Sequence, residues 1–220
     1  MLLRRAAPPL AALLRRGMVQ PAVASAVASA APASAAARRE VAALLEQPWA
    51  ETGSDHILTE LMRVYGVALG ADRCLLFLRD PGTTRNSMTH GWLRLPEFEY
   101  KRAANDEEWP MMSPTLLDDD PMYAEALRNP TALYIDDIET APPELLSWEY
   151  ELEHFGHRAL VHAPVYLDGD MYGILEPCVF GAEARVWSEE DRALTRLVQS
   201  KIGPIAADYV RRNCPGAAKL

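Results

Sequence analysis

Residues 156–180 read GHRALVHAPVYLDGDMYGILEPCVF, and their alternation decides the architecture. Successive side chains of a strand point to opposite faces. Before the turn, Val161, Ala163, Val165 and Leu167 form a wholly apolar set, and Leu160, His162, Pro164 and Tyr166 a mixed one. After it, Met171, Gly173, Leu175, Pro177 and Val179 are apolar, and Tyr172, Ile174, Glu176, Cys178 and Phe180 are mixed. Asp168-Gly169-Asp170 between them is a strong hairpin signal. A slip of one residue would reverse every side chain, so putting both apolar sets on one face requires paired residue numbers with an even sum. A three-residue loop gives the sum 338 and sets His162 opposite Glu176. The apolar face is then expected beneath helices, with His162, Tyr166, Tyr172, Glu176 and Cys178 facing a cleft. An imidazole and a carboxylate this close can form a charge-assisted hydrogen bond or orient a polar group of a ligand.

Working outward, Ser54 or Asp55 can cap a helix whose apolar residues Ile57, Leu58, Leu61, Met62, Val64, Tyr65 and Ala68 recur at three- and four-residue intervals up to Gly70. Residues 73–79 are too short for a globular helix and end at Asp80-Pro81-Gly82, which reads as a buried strand; residues 88–95 offer a second. Residues 96–121 have no sustained period and read as loop with short helical pieces. A short helix at 121–127, a strand at 132–135 and a helix from about Pro143 to Phe155, ended by Gly156, lead into the hairpin. Ser188 and Asp191 form a capping-box pair before a last helix with the stripe Leu194, Leu197, Val198, Ile202, Ile205, Tyr209 and Val210, which Pro204 is expected to kink. Without regular strand–helix alternation, the fold class is α+β, an antiparallel sheet of five to six strands.

The first 39 residues hold six arginines, no lysine and no acid, in runs of Ala, Ser, Pro and Leu too short to span a membrane. They read as an organelle transit peptide, mitochondrial or alternatively plastid. The expected organisation is therefore a transit peptide over 1–39, a linker over 40–53, one domain over 54–213 and a tail over 214–220. Without the first segment the chain keeps 16 basic residues against 31 acidic ones, a net charge of −15, which disfavours nucleic acid as a partner. Neither a membrane nor a metal is expected to be bound. His154 and His157 read as an exposed helix end, and Cys74, Cys178 and Cys214, with no paired spacing, as thiols.

Residues 156–165, Tyr172-Gly173-Ile174-Leu175, Trp187-Ser188 and Tyr134-Ile135-Asp136-Asp137-Ile138, in this order and spacing, resemble the GAF family. The resemblance implies a sheet with the first and last helices on one face and a loop-covered ligand cleft on the other. It also implies a non-catalytic small-molecule-binding or sensory domain, and a homodimer through the first and last helices. The chain departs from the family's cyclic-nucleotide motif and has no cysteine where bilin-binding members attach their chromophore. Ligand-contacting candidates are Trp92, Trp109, Tyr134, Asp137, Trp148, His162, Tyr172 and Glu176, with Tyr100, Tyr123 and Tyr150 as further aromatic neighbours; no catalytic residue is assigned and the ligand or cofactor is unidentified. The competing readings are a thiol-dependent reductase of free methionine sulfoxide and a structural or dimerisation module with a filled pocket.

Overall fold

The computed structural model describes residues 35–98, 108–113 and 115–217, apart from the side chains of residues 119 and 152–154. Helix α1 (Ala35–Leu45) and the single turn α2 (Trp49–Thr52) precede α3 (Ser54–Leu69); strands β1 (Arg73–Arg79) and β2 (Asn86–Leu93) follow. Short helices α4 (Leu116–Asp119) and α5 (Pro121–Ala126), strand β3 (Leu133–Ile135) and helix α6 (Trp148–His154) lead to β4 (Ala159–Leu167), β5 (Asp170–Val179) and the long α7 (Glu189–Asn213). Among the described residues the strands form one five-stranded antiparallel sheet in the order β2-β1-β5-β4-β3.

The local signals act as expected at most ends. Gly70 takes the left-handed conformation (φ 61°) and closes α3, while Ser188 and Asp191 cap α7 reciprocally. α3 begins one residue early, with Gly53 at its cap position and no side-chain cap. α6 begins at Trp148, later than the expected start at about Pro143, because the amides of Leu145 and Leu146 turn back onto Pro142 and Ser147 then caps the helix. The segment expected as a linker contains most of α1. Val41, Leu44 and Leu45 bury one side of that helix against α3 and α7, and Arg38 reaches Asp191 of α7 at 3.1 Å.

One face of the sheet carries α3 and α7. Cys74, Leu76 and Leu78 of β1, Val161, Ala163 and Val165 of β4 and Leu175 of β5 meet Ile57, Leu61, Leu194, Val198, Ile202 and Ile205 of the helices in one apolar cluster. Each fully buried side chain of this size contributes about 1.5–3 kcal/mol through removal from water. α7 can lie this close only because position 203 is glycine: a Cβ there would run into the Tyr166 carbonyl. The other face is covered by α5, α6 and loops and holds two small apolar clusters, around Ile135 and Leu160 and around Met171 and Ile174.

The hairpin pairs Leu160 with Cys178 and Ala163 with Leu175, the register of sum 338 that sets His162 opposite Glu176. The route to that register differs from the expected one. Asp168 (φ 53°) and Gly169 (φ 93°) make a two-residue turn with both central residues at positive φ, so Leu167 pairs with Asp170 and Tyr166 with Met171. A bulge then leaves Tyr172 unpaired before Val165 meets Gly173. The extra residue restores the even sum and reverses the two positions on its turn side: Met171 faces the cleft, and Tyr172 faces the helices beneath Arg211.

Candidate functional site

On the sheet face opposite α3 and α7, β1 presents Arg73, Leu75, Phe77 and Arg79, β5 presents Ile174, Glu176 and Cys178, and β4 presents Leu160, His162 and Tyr166. Over this floor lies a cavity of about 340 Å³. Its floor is Phe77, Arg79, His162, Ile174 and Glu176. Asp120 and Tyr123 close one side, Tyr150 and Phe155 another, and the methionines Met88, Met111 and Met112 the third. Such a volume lies at the small end of the roughly 300–1,000 Å³ of ligand pockets, and an apolar wall with few convergent polar groups is their usual composition.

The polar groups converge without satisfying one another. Glu176 is 4% exposed, and its Oε2 stands 3.7 Å from His162 Nδ1, an ion-pair distance too long for a hydrogen bond. Glu176 Oε1, both ring nitrogens of His162, the Tyr123 hydroxyl and Arg79 Nε have no hydrogen-bond partner among the described residues. Buried polar groups are normally bonded, so a concentration of unbonded ones calls for an explanation. Burial alone would raise the Glu176 pKa, but His162, His157 and Arg73 outweigh it and hold the carboxyl below its ordinary value, ionised at neutral pH. Asp120, whose carboxylate accepts from the Tyr123 amide at 2.9 Å, is shifted upward by burial, and His162 offsets only part of that.

Behind Glu176 lies a second polar layer. His157 Nε2 is 2.8 Å from Glu151 Oε2, and Arg73 Nη2 is 3.3 Å from its Nδ1. Burial lowers the His157 pKa, but Cys178 and Glu151 outweigh it and the value stands raised, at about 10. The expected exposed helix end is thus a buried contact at 1% exposure, because Gly156 (φ 68°) turns the chain back under α6; the side chain of His154 lies outside the described residues.

Of the residues singled out in the sequence, His162 and Glu176 line the cavity, and so do Tyr123 and Tyr150. Tyr172 does not face it, for the reason given by the bulge. Trp92 and Tyr134 also point to the helix side, where Trp92 packs at Gly66 and Tyr134 lies under the Arg192 guanidinium. Trp109 is buried in the helix-side core, Asp137 is paired with Arg158 at 2.8 Å, and Trp148 is 39% exposed. Tyr100 lies outside the described residues. The three thiols are dispersed: Cys74 is buried on the helix face beside Met62, its pKa raised by burial, Cys178 lies among Ile135 and Leu160, and Cys214 follows α7. None lines the cavity among the described residues. Nor do the described residues contain a group of three or more His, Cys, Asp or Glu able to hold a metal ion.

Sequence reasoning missed Arg79 and Asp120. Arg79 was legible, since Arg73 and Arg79 bracket an apolar strand six residues apart and therefore share a face. Asp120, in a run of three aspartates, carried no distinguishing signal.

A GAF domain family model matches residues 54–203. No curated protein matches by sequence. Among solved structures, the chain is similar to the phycoerythrobilin-bound GAF domain of a cyanobacterial phytochrome, at 17% identity and a TM-score of 0.57, covering 81% of this chain and 96% of that one. It is also similar to the GAF domain of the Acinetobacter phosphoenolpyruvate-protein phosphotransferase (12%, TM-score 0.55, covering 79% and 92%) and to that of the cyanobacteriochrome TePixJ (17%, TM-score 0.54, covering 74% and 91%). At these identities the likeness is one of fold.

Proposed function

The chain belongs to the GAF family, and on that premise we propose that it is a non-catalytic sensory domain whose cavity on the free sheet face binds a small molecule. The observation that carries this reading is the set of unbonded, buried polar groups on Glu176, His162, Tyr123 and Arg79 around one cavity. A structural module would gain by bonding these groups internally or by replacing them with apolar side chains, since each unmade buried bond costs about 1–3 kcal/mol. A binding site keeps them unbonded for a partner. The phytochrome relatives hold bilins; here the compact cavity and the absence of a lining thiol favour a smaller molecule held without a covalent bond. The position of the cysteines also weighs against a thiol-dependent reductase, which needs an accessible thiolate.

The test is a thermal-shift screen of a metabolite library against the wild-type domain and Glu176→Ala. Compounds that raise the melting temperature of the wild type and leave the variant unmoved support the reading; a library without effect on the wild type, or with equal effects on both, overturns it.

Import belongs to the same proposal. Residues before the described region have the composition of a mitochondrial or plastid transit peptide. Arg38 and Val41 belong to packed α1, which favours a cleavage point before Ala35 over the one first expected near Glu40. A homodimer through α3 and α7 would have to use the surface α1 leaves free, where Val67 is 44% exposed.

A further inference from the structure

Arg79 sits at the far end of the cavity floor from Glu176. It is 8% exposed, its Nη1 donates to the Met171 carbonyl at 3.3 Å, its Nε is unbonded, and among the described residues it pairs with no carboxylate. A guanidinium withdrawn from water without a counter-charge is costly, and its planar donors suit a carboxylate or phosphate. At the opposite end, Glu176 Oε1 is a free acceptor and the carboxylate is ionised, with Asp120 and His162 beside it. Between the two charges the floor is apolar: Phe77 next to Arg79 on β1, and Ile174 next to Glu176 on β5.

The register sets the backbone positions of the two ends. Glu176 lies opposite Leu75, four residues from Arg79 along β1 on the same face. Four residues of strand span about 13 Å. With both side chains standing roughly perpendicular to the sheet, so that their heads keep this spacing, subtracting a hydrogen-bond contact at each end leaves roughly 7–8 Å.

We infer that the ligand is a small bipolar molecule, with a protonated nitrogen held by Glu176, a short apolar body over Phe77 and Ile174, and a carboxylate or phosphate held by Arg79. This rests on the reading of the cavity as a ligand site and adds the chemical class of its occupant. It orders the unbonded groups into two ends of opposite demand, and it assigns Arg79 the role of an anion anchor.

The experiment is calorimetric titration of the mature domain with ω-amino carboxylates of graded length, from glycine upward, alongside hexylamine, hexanoate and the uncharged 1,6-hexanediol. Affinity should rise with length to a maximum at about five or six methylenes, where the charged ends reach the required separation, and fall beyond it. 6-Aminohexanoate should bind at least about tenfold more tightly than hexylamine or hexanoate, as expected for a charge-assisted bond at each end. Arg79→Gln should reduce 6-aminohexanoate to the level of hexylamine and leave hexylamine itself unchanged, Arg79→Lys should restore part of the loss, and Glu176→Gln should do the converse with hexanoate unchanged. The unchanged probe in each variant shows that the fold is intact.

Equal affinity at all lengths, or hexylamine binding as tightly as the zwitterion, overturns the inference. If 1,6-hexanediol binds and the charged probes do not, the bipolar assignment falls while the cavity remains a ligand site. If no probe binds and 4-aminobutyl phosphate, the phosphate counterpart of matching length, also fails, the bipolar assignment is wrong; an inert metabolite library as well would remove the ligand-site reading.

Discussion

The two faces of the sheet solve different problems with the same strands. Neighbouring residues of β1 make the contrast: Leu76 enters the continuous apolar cluster beneath α3 and α7, whereas Phe77 borders the cavity with Arg79 and Glu176 close by. The helix face is filled, and its buried Tyr65 hydroxyl meets Thr195 at 2.8 Å. The cleft face holds two small clusters separated by charge. Stability is concentrated on one side, which leaves the other able to keep unbonded groups for a ligand.

The largest effects should come from the filled face. Leu76→Ala should cost about 2–5 kcal/mol in urea denaturation, the range for emptying a well-packed site. Phe77→Ala should cost less, because it enlarges a space that already exists. Equal losses would break the contrast between the faces. Gly66→Ala should follow at about 1–3 kcal/mol, since the new Cβ would lie 2.5 Å from the Trp92 ring and the core would have to shift.

A smaller effect should appear with pH. His90, packed at 4.7 Å from the Tyr209 ring, has its pKa lowered by burial, with Asp55 offsetting only part of the shift. With the folded value below the unfolded one, near 6.5, the unfolded chain binds the proton more tightly. Stability from this group is complete above that value, and it declines as the pH falls through it toward the folded pKa. Denaturation midpoints measured across this window should decline less steeply in His90→Gln. A slope unchanged by the substitution would assign the acid sensitivity elsewhere.

The smallest effect concerns α1. Arg38→Ala should cost about 1 kcal/mol or less, because the partly exposed arginine is screened even though Asp191 is buried. If the arginine-rich segment is removed on import, N-terminal sequencing of the native protein should find a start after Met1 and before Ala35; a start at Met1 would contradict the import proposal. A start within α1 would mean that the helix is dispensable to the mature protein.

Much of this contrast was legible in the chain. The alternation in residues 156–180 carries the sheet's polarity, and His162 and Glu176 fall together on the free face as their spacing demands. Positions decided by single-residue insertions were not legible. The bulge at Tyr172 follows from a two-residue Asp-Gly turn that the sequence alone does not distinguish from a three-residue one. An irregularity in β2 opposite Leu76 and Phe77 likewise sets which way Trp92 points, and no local propensity encodes it. α1 was missed although Val41, Leu44 and Leu45 have helical spacing, because three apolar residues beside an alanine-rich segment form too short a period to stand out.

Native mass spectrometry of the wild-type domain and Glu176→Ala, purified in parallel from the same host cells, tests the claim that the cleft face is a binding site most directly. The account predicts a small-molecule adduct on the wild type that is lost on denaturation and absent from the variant. The bare mass in both proteins, or the same adduct on both, would contradict it.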